Sequence, residues 1–131
     1  MTEPYLKLPN PSNDQKEFMT LADQTTDDYN IDQMSLYADL IVEEVHEFME
    51  ALTNEPPENV IKEATDLMVV TLGFMHSMGI NPNDAWELVH ENNMFKVKNK
   101  PSKDTNGKVI KSPESITHKA TMMESLKRLL S

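Results

Sequence analysis

Two stretches of the sequence decide the fold, LIVEEVHEFMEAL at residues 40–52 and VIKEATDLMVVTLGFM at residues 60–75. Apolar side chains recur in both at intervals of three and four, which is the spacing of α-helices that bury a face. Asn30, followed by Gln33, predicts the start of the first helix, and Gly79 predicts the end of the second. The two predicted helices run from Asn30 to about Thr53 and from Pro56-Pro57 to Gly79.

The rest of the chain shows further helix signals and no confident strand. The predicted elements are a short helix from a capping box at Ser12 and Gln15 to about Asp23, a helix from Asn81-Pro82 to about Val97, a polar loop over 98–112 with a turn at Asn106-Gly107, and an amphipathic helix from Ser112-Pro113 onward. We predict a single all-α domain over residues 1–131. It has a four-helix-bundle-like core at about 12–97, with the basic loop and the tail helix at 98–131.

Composition excludes several classes of protein. The 131 residues suffice for one hydrophobic core but not for two, and the absence of cysteine excludes disulfides, iron–sulfur clusters and cysteine nucleophiles. The three glycines are not spaced as in a phosphate-binding loop or a dinucleotide fingerprint. The N-terminus lacks the features of a signal peptide, and the longest apolar stretch is about half of the roughly 20 residues that a membrane span needs. We expect a soluble, cytoplasmic protein without a membrane partner.

Charge divides the chain at Lys96. Residues 1–95 contain 3 lysines and 19 acids, a net charge of −16, whereas residues 96–131 contain 9 basic residues and 3 acids, a net charge of +6. An acidic body of this kind repels a nucleic-acid backbone, so we expect no nucleic-acid partner.

The helix from Asn30 carries a carboxylate in its apolar stripe. On a helical wheel, Glu44 lies within roughly 60° of Tyr37, Leu40, Ile41, Phe48 and Ala51. Glu47 lies one turn further, at the border of the stripe, and Glu43 lies just outside it. A lone carboxylate in such a stripe costs several kcal/mol unless it is neutralised or paired.

The next helix repeats this arrangement. Its apolar residues run all the way round between Val60 and Met75, which predicts burial on every side, and Glu63 and Asp66 share one face. Lys62 is adjacent to Glu63 in sequence, and we expect that it cannot face both acids. If the two helices meet, four or five carboxylates converge, and oxygen-only ligands favour Mg²⁺, with Mn²⁺ as an alternative. The competing interpretation is that these are ordinary exposed helix acids.

A phosphate-binding side is predicted downstream. On a helical wheel, Asn93 and Lys96 lie within roughly 60° of Val89. Ala85 and Trp86 lie within the same angle, on the face predicted to point to the core. The basic loop adds further lysines, among them Lys108 and Lys111. Either these groups bind a polyphosphate, or the loop is a solvated basic segment that balances an acidic body.

Four elements in this order resemble a known family. Glu44-Val45-His46-Glu47 and Glu63-Ala64-Thr65-Asp66 resemble the E-x-x-E…E-x-x-D signature of the MazG-like all-α nucleoside triphosphate pyrophosphatases. Asn93-Met94-Phe95-Lys96 is similar to their N-x-x-K element. Gly107-Lys108-Val109-Ile110-Lys111 is similar to the Gly-Lys-x-x-Lys tail of the phosphoribosyl-ATP-pyrophosphohydrolase-like branch. The resemblance covers residues 12–113.

The resemblance implies hydrolysis of a nucleoside triphosphate to the monophosphate and pyrophosphate, in a house-cleaning role, with phosphoribosyl-ATP as an open alternative. It implies that magnesium is held by Glu44, Glu47, Glu63 and Asp66, and that Glu43 or Glu47 acts on the attacking water. It implies phosphate contacts from Asn93, Lys96, Lys108 and Lys111. It also implies a homodimer or homotetramer, for which the face of Val42 and Met49 is a candidate contact surface.

Two other functions stay open at this stage. Glu43-x-x-His46 and Glu87-x-x-His90 fit the Glu-x-x-His element of di-iron bundles, but the wheel predicts both histidines at the surface. A helical interaction module without catalysis is the second alternative. Four side chains could stack on a nucleobase, although for each we favour a place in the core: Phe18, Met19, Tyr29 and Trp86.

Overall fold

The computed structural model describes residues 8–99, 102–110 and 112–131. Its elements are α1 (Pro11–Leu21), α2 (Ile31–Asn54), α3 (Pro57–Ser77), α4 (Pro82–Lys98), β1 (Ser102–Lys103), β2 (Val109–Ile110) and α5 (Pro113–Arg128). The predicted all-α fold is confirmed. In the described part of the chain, none of the helices has the length and apolar character to cross a membrane.

Capping side chains fix most helix starts where the sequence predicted them. Asn30 Oδ1 accepts a hydrogen bond from the backbone N–H of Gln33 at 3.1 Å, which satisfies one of the free donors of the first turn of α2. The side chain of Asn81 caps α4, and the Ser112 hydroxyl caps α5. Gly79 lies just beyond α3 with φ of +78°, a backbone conformation that glycine adopts without strain.

The predicted cap of the first helix is wrong. Asn10 rather than Ser12 caps α1, and its Oδ1 accepts from Asn13 N at 3.2 Å. Pro11 explains the shift, because its fixed φ and missing N–H suit the first helical position. Ser12 is thereby drawn into the first turn, where it is buried and its carbonyl lies 2.8 Å from Nε2 of His76 on α3.

The chain divides into two compact units, residues 1–79 and 80–131. In the first unit, α1, α2 and α3 bury Met19, Tyr37 and Val70 among partly buried apolar neighbours. Gly73 is required here, because a Cβ at this position would overlap the ring of Tyr37. The Tyr37 hydroxyl donates to Gln24 Oε1 at 2.6 Å, so its burial leaves no polar group unsatisfied. The prediction that residues 1–131 form one domain stays a prediction.

α3 is not buried on every side, contrary to the prediction. Its buried residues lie on one side, at Val70, Gly73, His76 and Ser77. Ile61 and Met68 are exposed instead, at 69% and 58%. The reason is that, within the first unit, only α1 and α2 pack against α3, so part of its apolar surface stays open.

The second unit pairs α4 with α5. The imidazole of His118 stacks on Phe95 with ring centroids 4.2 Å apart, and its Nδ1 lies 2.9 Å from Asn92 Oδ1. The segment predicted as a plain loop contains the antiparallel pair β1–β2. Its turn is closed by the Asp104 carboxylate, which accepts from Asn106 N and Lys108 N, with Gly107 at positive φ.

Candidate metal centre

The connection between α2 and α3 sets the register of the site. Only two residues separate the helices, so α2 and α3 pack as antiparallel neighbours. Residues at equal distances on either side of Glu55 then face each other. Gln33 and Ser77 are such a pair, each 22 residues from Glu55, and Gln33 Nε2 donates to Ser77 Oγ at 2.8 Å.

The same register places the acids of the two helices at matching levels. Glu44 and Asp66 each lie 11 residues from Glu55, and Glu47 and Glu63 each lie 8 residues from it. Glu44, Glu63 and Asp66 each present one carboxylate oxygen, and these three oxygens lie within 4.8 Å of one another. The structure therefore brings together three of the four predicted metal ligands.

Two oxygens of this carboxylate triad lack a partner. Glu44 Oε2 and Glu63 Oε1 are buried, and neither has a hydrogen-bond donor. Burial is the main cause that raises the pKa of Glu44, and repulsion from the charge of Glu47 adds to the rise. Buried carboxylate oxygens without donors are rare in native proteins and call for a cation or a proton.

Lys62 contacts both acids of α3, contrary to the prediction that it could not face both. Its Nζ lies 2.8 Å from Asp66 Oδ2 and 3.6 Å from Glu63 Oε2. The hydrogen bond with Asp66, followed by the attraction of its charge, raises the pKa of Lys62. The prediction was wrong because Lys62 and Asp66 are spaced i,i+4 and so meet on one helix surface, and the four-carbon stem also reaches Glu63.

Two further acids of α2 were predicted to belong to the site, Glu43 and Glu47. Glu47 is exposed, does not belong to the triad, and is close enough to raise the pKa of Glu44 by its charge and by a side-chain hydrogen bond. Glu43 is exposed as well. Both side chains are thus open to water.

The residues fit a hard divalent cation. The donors are all carboxylate oxygens, which are the ligands that Mg²⁺ and Mn²⁺ prefer. Ligand oxygens of one Mg²⁺ at about 2.1 Å lie about 3.0 Å apart when adjacent and about 4.2 Å apart when opposite, so three oxygens within 4.8 Å of one another would draw together to share one ion.

α4 presents a different face from the predicted one. Asn93 is exposed and Lys96 is partly buried, whereas Ala85 is buried. Trp86, predicted beside Asn93 on the core-facing side, is 73% exposed. The predicted core-facing side of α4 was wrong because α5 packs on the side of α4 that carries Asn92 and Phe95.

The basic loop is only partly described. Lys108 is exposed beside the turn between β1 and β2, where its backbone N–H donates to Asp104 Oδ1 at 3.0 Å. Lys111 lies outside the described residues. The phosphate contacts predicted for Asn93, Lys96, Lys108 and Lys111 stay predictions.

Of the candidate stacking residues, only Met19 belongs to the core. Phe18, Tyr29 and Trp86 are 57%, 59% and 73% exposed, so the preference for a core position was wrong for all three. Phe18 lines a groove of about 410 Å³ between α1 and α3, opposite Met68. The unit that contains the triad therefore has an exposed aromatic side chain, Phe18, available for stacking.

The di-iron alternative is not supported by this geometry. Glu43, His46, Glu87 and His90 are all exposed. Neither Glu-x-x-His element directs its side chains into a buried site, and the prediction that both histidines lie at the surface is confirmed.

Residues 15–93 match the protein family described as phosphoribosyl-ATP pyrophosphohydrolase. A comparison with curated proteins gave no match. The matched range contains α2 and α3 in full, and with them the triad and Lys62.

Proposed function

The chain belongs to the phosphoribosyl-ATP pyrophosphohydrolase family, within the MazG-like all-α superfamily, and we propose that it hydrolyses a nucleoside triphosphate to the monophosphate and pyrophosphate. Membership implies a pyrophosphohydrolase that acts on a phosphoanhydride bond. The observation that carries the proposal is the triad Glu44, Glu63 and Asp66, which has two buried oxygens without donors.

In this proposal Glu44, Glu63 and Asp66 hold Mg²⁺, with Glu47 as a fourth ligand and Mn²⁺ as a substitute. A bound ion would neutralise the carboxylates, offset charge that develops on the phosphate oxygens and lower the pKa of water at the site. The carboxylates would fix the position of the ion because they lie on α2 and α3, two helices with a short connection, rather than on a mobile loop.

The general base is assigned to the exposed acids. Glu43 or Glu47 accepts a proton from the attacking water, whose oxygen forms a new bond to phosphorus while the anhydride bond breaks and pyrophosphate leaves. Both carboxylates are open to solvent, and Glu47 lies close enough to Glu44 to raise the pKa of Glu44 by its charge. Asn93, Lys96, Lys108 and Lys111 are proposed to bind phosphate oxygens, a role supported by the net positive charge of residues 96–131.

The family match supports phosphoribosyl-ATP equally well as a substrate. Both substrate classes contain a triphosphate and release pyrophosphate, and the described carboxylates act on phosphate rather than on the base. The choice therefore depends on groups that contact the base and the sugar.

We also propose that the protein is a homodimer or homotetramer. Val42, Val45, Met49 and Leu52 recur on α2 at alternating intervals of three and four residues, and each is 41–58% exposed. This spacing is that of a helix seam that packs against another helix. Light scattering that shows a stable monomer at working concentrations would contradict the assembly without affecting the chemistry.

A substrate panel tests the proposed activity. Pyrophosphate release is measured from dNTPs, NTPs and phosphoribosyl-ATP, with Mg²⁺ and with EDTA, for the wild type and Glu63→Gln. We expect Mg²⁺-dependent release from at least one compound and its loss in the variant. The matched control Glu50→Gln changes an exposed acid of α2 that accepts from Asn54, and it should keep full activity. No release from any compound would favour a non-catalytic module.

A further inference from the structure

Among the described residues of the first unit, one lysine contacts the triad. Within its described residues, 8–79, the lysines are Lys16 and Lys62. Lys16 pairs with Asp27 at 3.3 Å, away from the triad, whereas Lys62 bridges Asp66 and Glu63. Lys62 therefore supplies a positive charge where three carboxylates converge.

Lys62 and a divalent ion compete for the same carboxylate. An ion bound at about 2.1 Å to Asp66 Oδ2, the oxygen that lies 2.8 Å from Nζ, would lie at most about 4.9 Å from Nζ. Like charges at this distance repel, and the repulsion is stronger beside buried oxygens than in bulk water. The ammonium has room to leave, because the Lys62 side chain is 66% exposed on a flexible stem.

We propose that Lys62 is a tethered counter-ion of the metal centre, which neutralises Asp66 and Glu63 while no metal is bound and withdraws from them when a divalent ion binds. The proposal rests on the metal centre of the proposed function and goes beyond it, since it gives Lys62 control over metal affinity. Lys62 is neither a ligand nor a catalytic residue in this account.

A thermodynamic cycle links two consequences of this competition. Removal of the ammonium exposes the carboxylates to their mutual repulsion, so the metal-free protein loses stability. The metal-bound protein, in which Lys62 has already withdrawn, loses less. The difference between these two losses of stability equals the gain in the free energy of metal binding, because unfolding and metal binding form a closed thermodynamic cycle.

The test uses Lys62→Met in the full chain, since methionine keeps the length and the helix propensity of lysine. Mn²⁺ is titrated at low ionic strength, and free Mn²⁺ is followed by electron paramagnetic resonance. We expect Mn²⁺ to bind about two- to fivefold more tightly than in the wild type, the range of an exposed ion pair. Lys62→Arg, which keeps the charge and the reach, should stay within about twofold of the wild type.

Lys16→Met is the matched control, because it removes the same charge from the same unit without a contact to the triad. An equal gain in affinity in Lys16→Met and Lys62→Met would overturn the inference, since net charge would then explain both. An unchanged or weaker affinity in Lys62→Met would also overturn it, as would a loss of thermal stability that is the same in EDTA and in saturating Mn²⁺. Failure of the wild type to bind Mn²⁺ would instead remove the metal centre itself, and with it both proposals.

Discussion

Glu44→Gln is expected to stabilise the metal-free protein, although it alters a residue proposed to be functional. Two unit charges 4.8 Å apart repel by about 0.9 kcal/mol in water and about 3.5 kcal/mol at an effective dielectric constant of 20. Glu44 faces two such charges, Glu63 and Asp66, and the exposed Glu47 adds a third, while Lys62 offsets roughly one of them. At least one repulsion stays uncompensated, so the substitution should raise the free energy of unfolding by about 1–3 kcal/mol.

The assay is thermal unfolding at pH 7 in EDTA and in Mg²⁺. For a chain of this length, about 1 kcal/mol corresponds to about 4 °C, so the melting temperature in EDTA should rise by at least about 4 °C. Mg²⁺ should stabilise the wild type but not Glu44→Gln, which lacks one ligand. Glu50→Gln, an exposed acid on the same helix, should differ from the wild type by less than about 0.5 kcal/mol.

The raised pKa of Glu44 makes the stability of the metal-free protein depend on pH. A carboxyl whose pKa is higher in the folded state than its ordinary value of 4.5 binds a proton more readily when folded. Its unfavourable contribution is therefore present at pH 7 and fades as the pH falls through the raised value toward 4.5. The stability gap between Glu44→Gln and the wild type should narrow over this interval. A variant less stable than the wild type in EDTA, or a gap independent of pH, would refute the reasoning.

Three further predictions concern the chemistry and the packing. Glu47→Gln and Asp66→Asn should each lower turnover at least about a hundredfold, the loss of a few kcal/mol of electrostatic stabilisation; near-wild-type rates in single-turnover assays would remove that residue from the site. Lys96→Ala should weaken substrate binding and pyrophosphate inhibition together, by about tenfold, and inhibition assays that leave both constants unchanged would refute its phosphate role. Gly73→Ala should lower the free energy of unfolding by about 1–3 kcal/mol in urea denaturation, because the added Cβ overlaps the ring of Tyr37, and an unchanged midpoint would contradict the packing.

The two helices and the place of Glu44 could be predicted from the sequence, whereas the meeting of α2 and α3 entered the prediction only as a condition. The 3.6-residue period placed Glu44 in an apolar stripe, and a two-residue connection forces α3 back along α2 at a fixed register. Glu44 is indeed partly buried, between the buried Tyr37 and Ala51 along the helix. Local sequence is sufficient here, because neither signal depends on a distant part of the chain.

The features that were missed depend on side-chain reach or on tertiary packing. A helical wheel shows only where each Cβ points, whereas the long side chain of Lys62 reaches Asp66. The i,i+4 spacing of the two residues was the signal that could have predicted this contact. The face of α4 was misassigned because Trp86 and Val89 look like a core stripe, while α5 covers the side of Phe95. Which of two mixed faces is buried depends on the partner helix, which the period alone does not identify.

The most direct test of the metal centre is the anomalous scattering of Mn²⁺ in crystals of the protein grown with the ion. We predict an anomalous difference peak within coordinating distance of carboxylate oxygens of Glu44, Glu63 and Asp66, with Nζ of Lys62 turned away from Asp66. Density that shows the three side chains apart, with Mn²⁺ bound elsewhere or not at all at saturating concentration, would contradict the account.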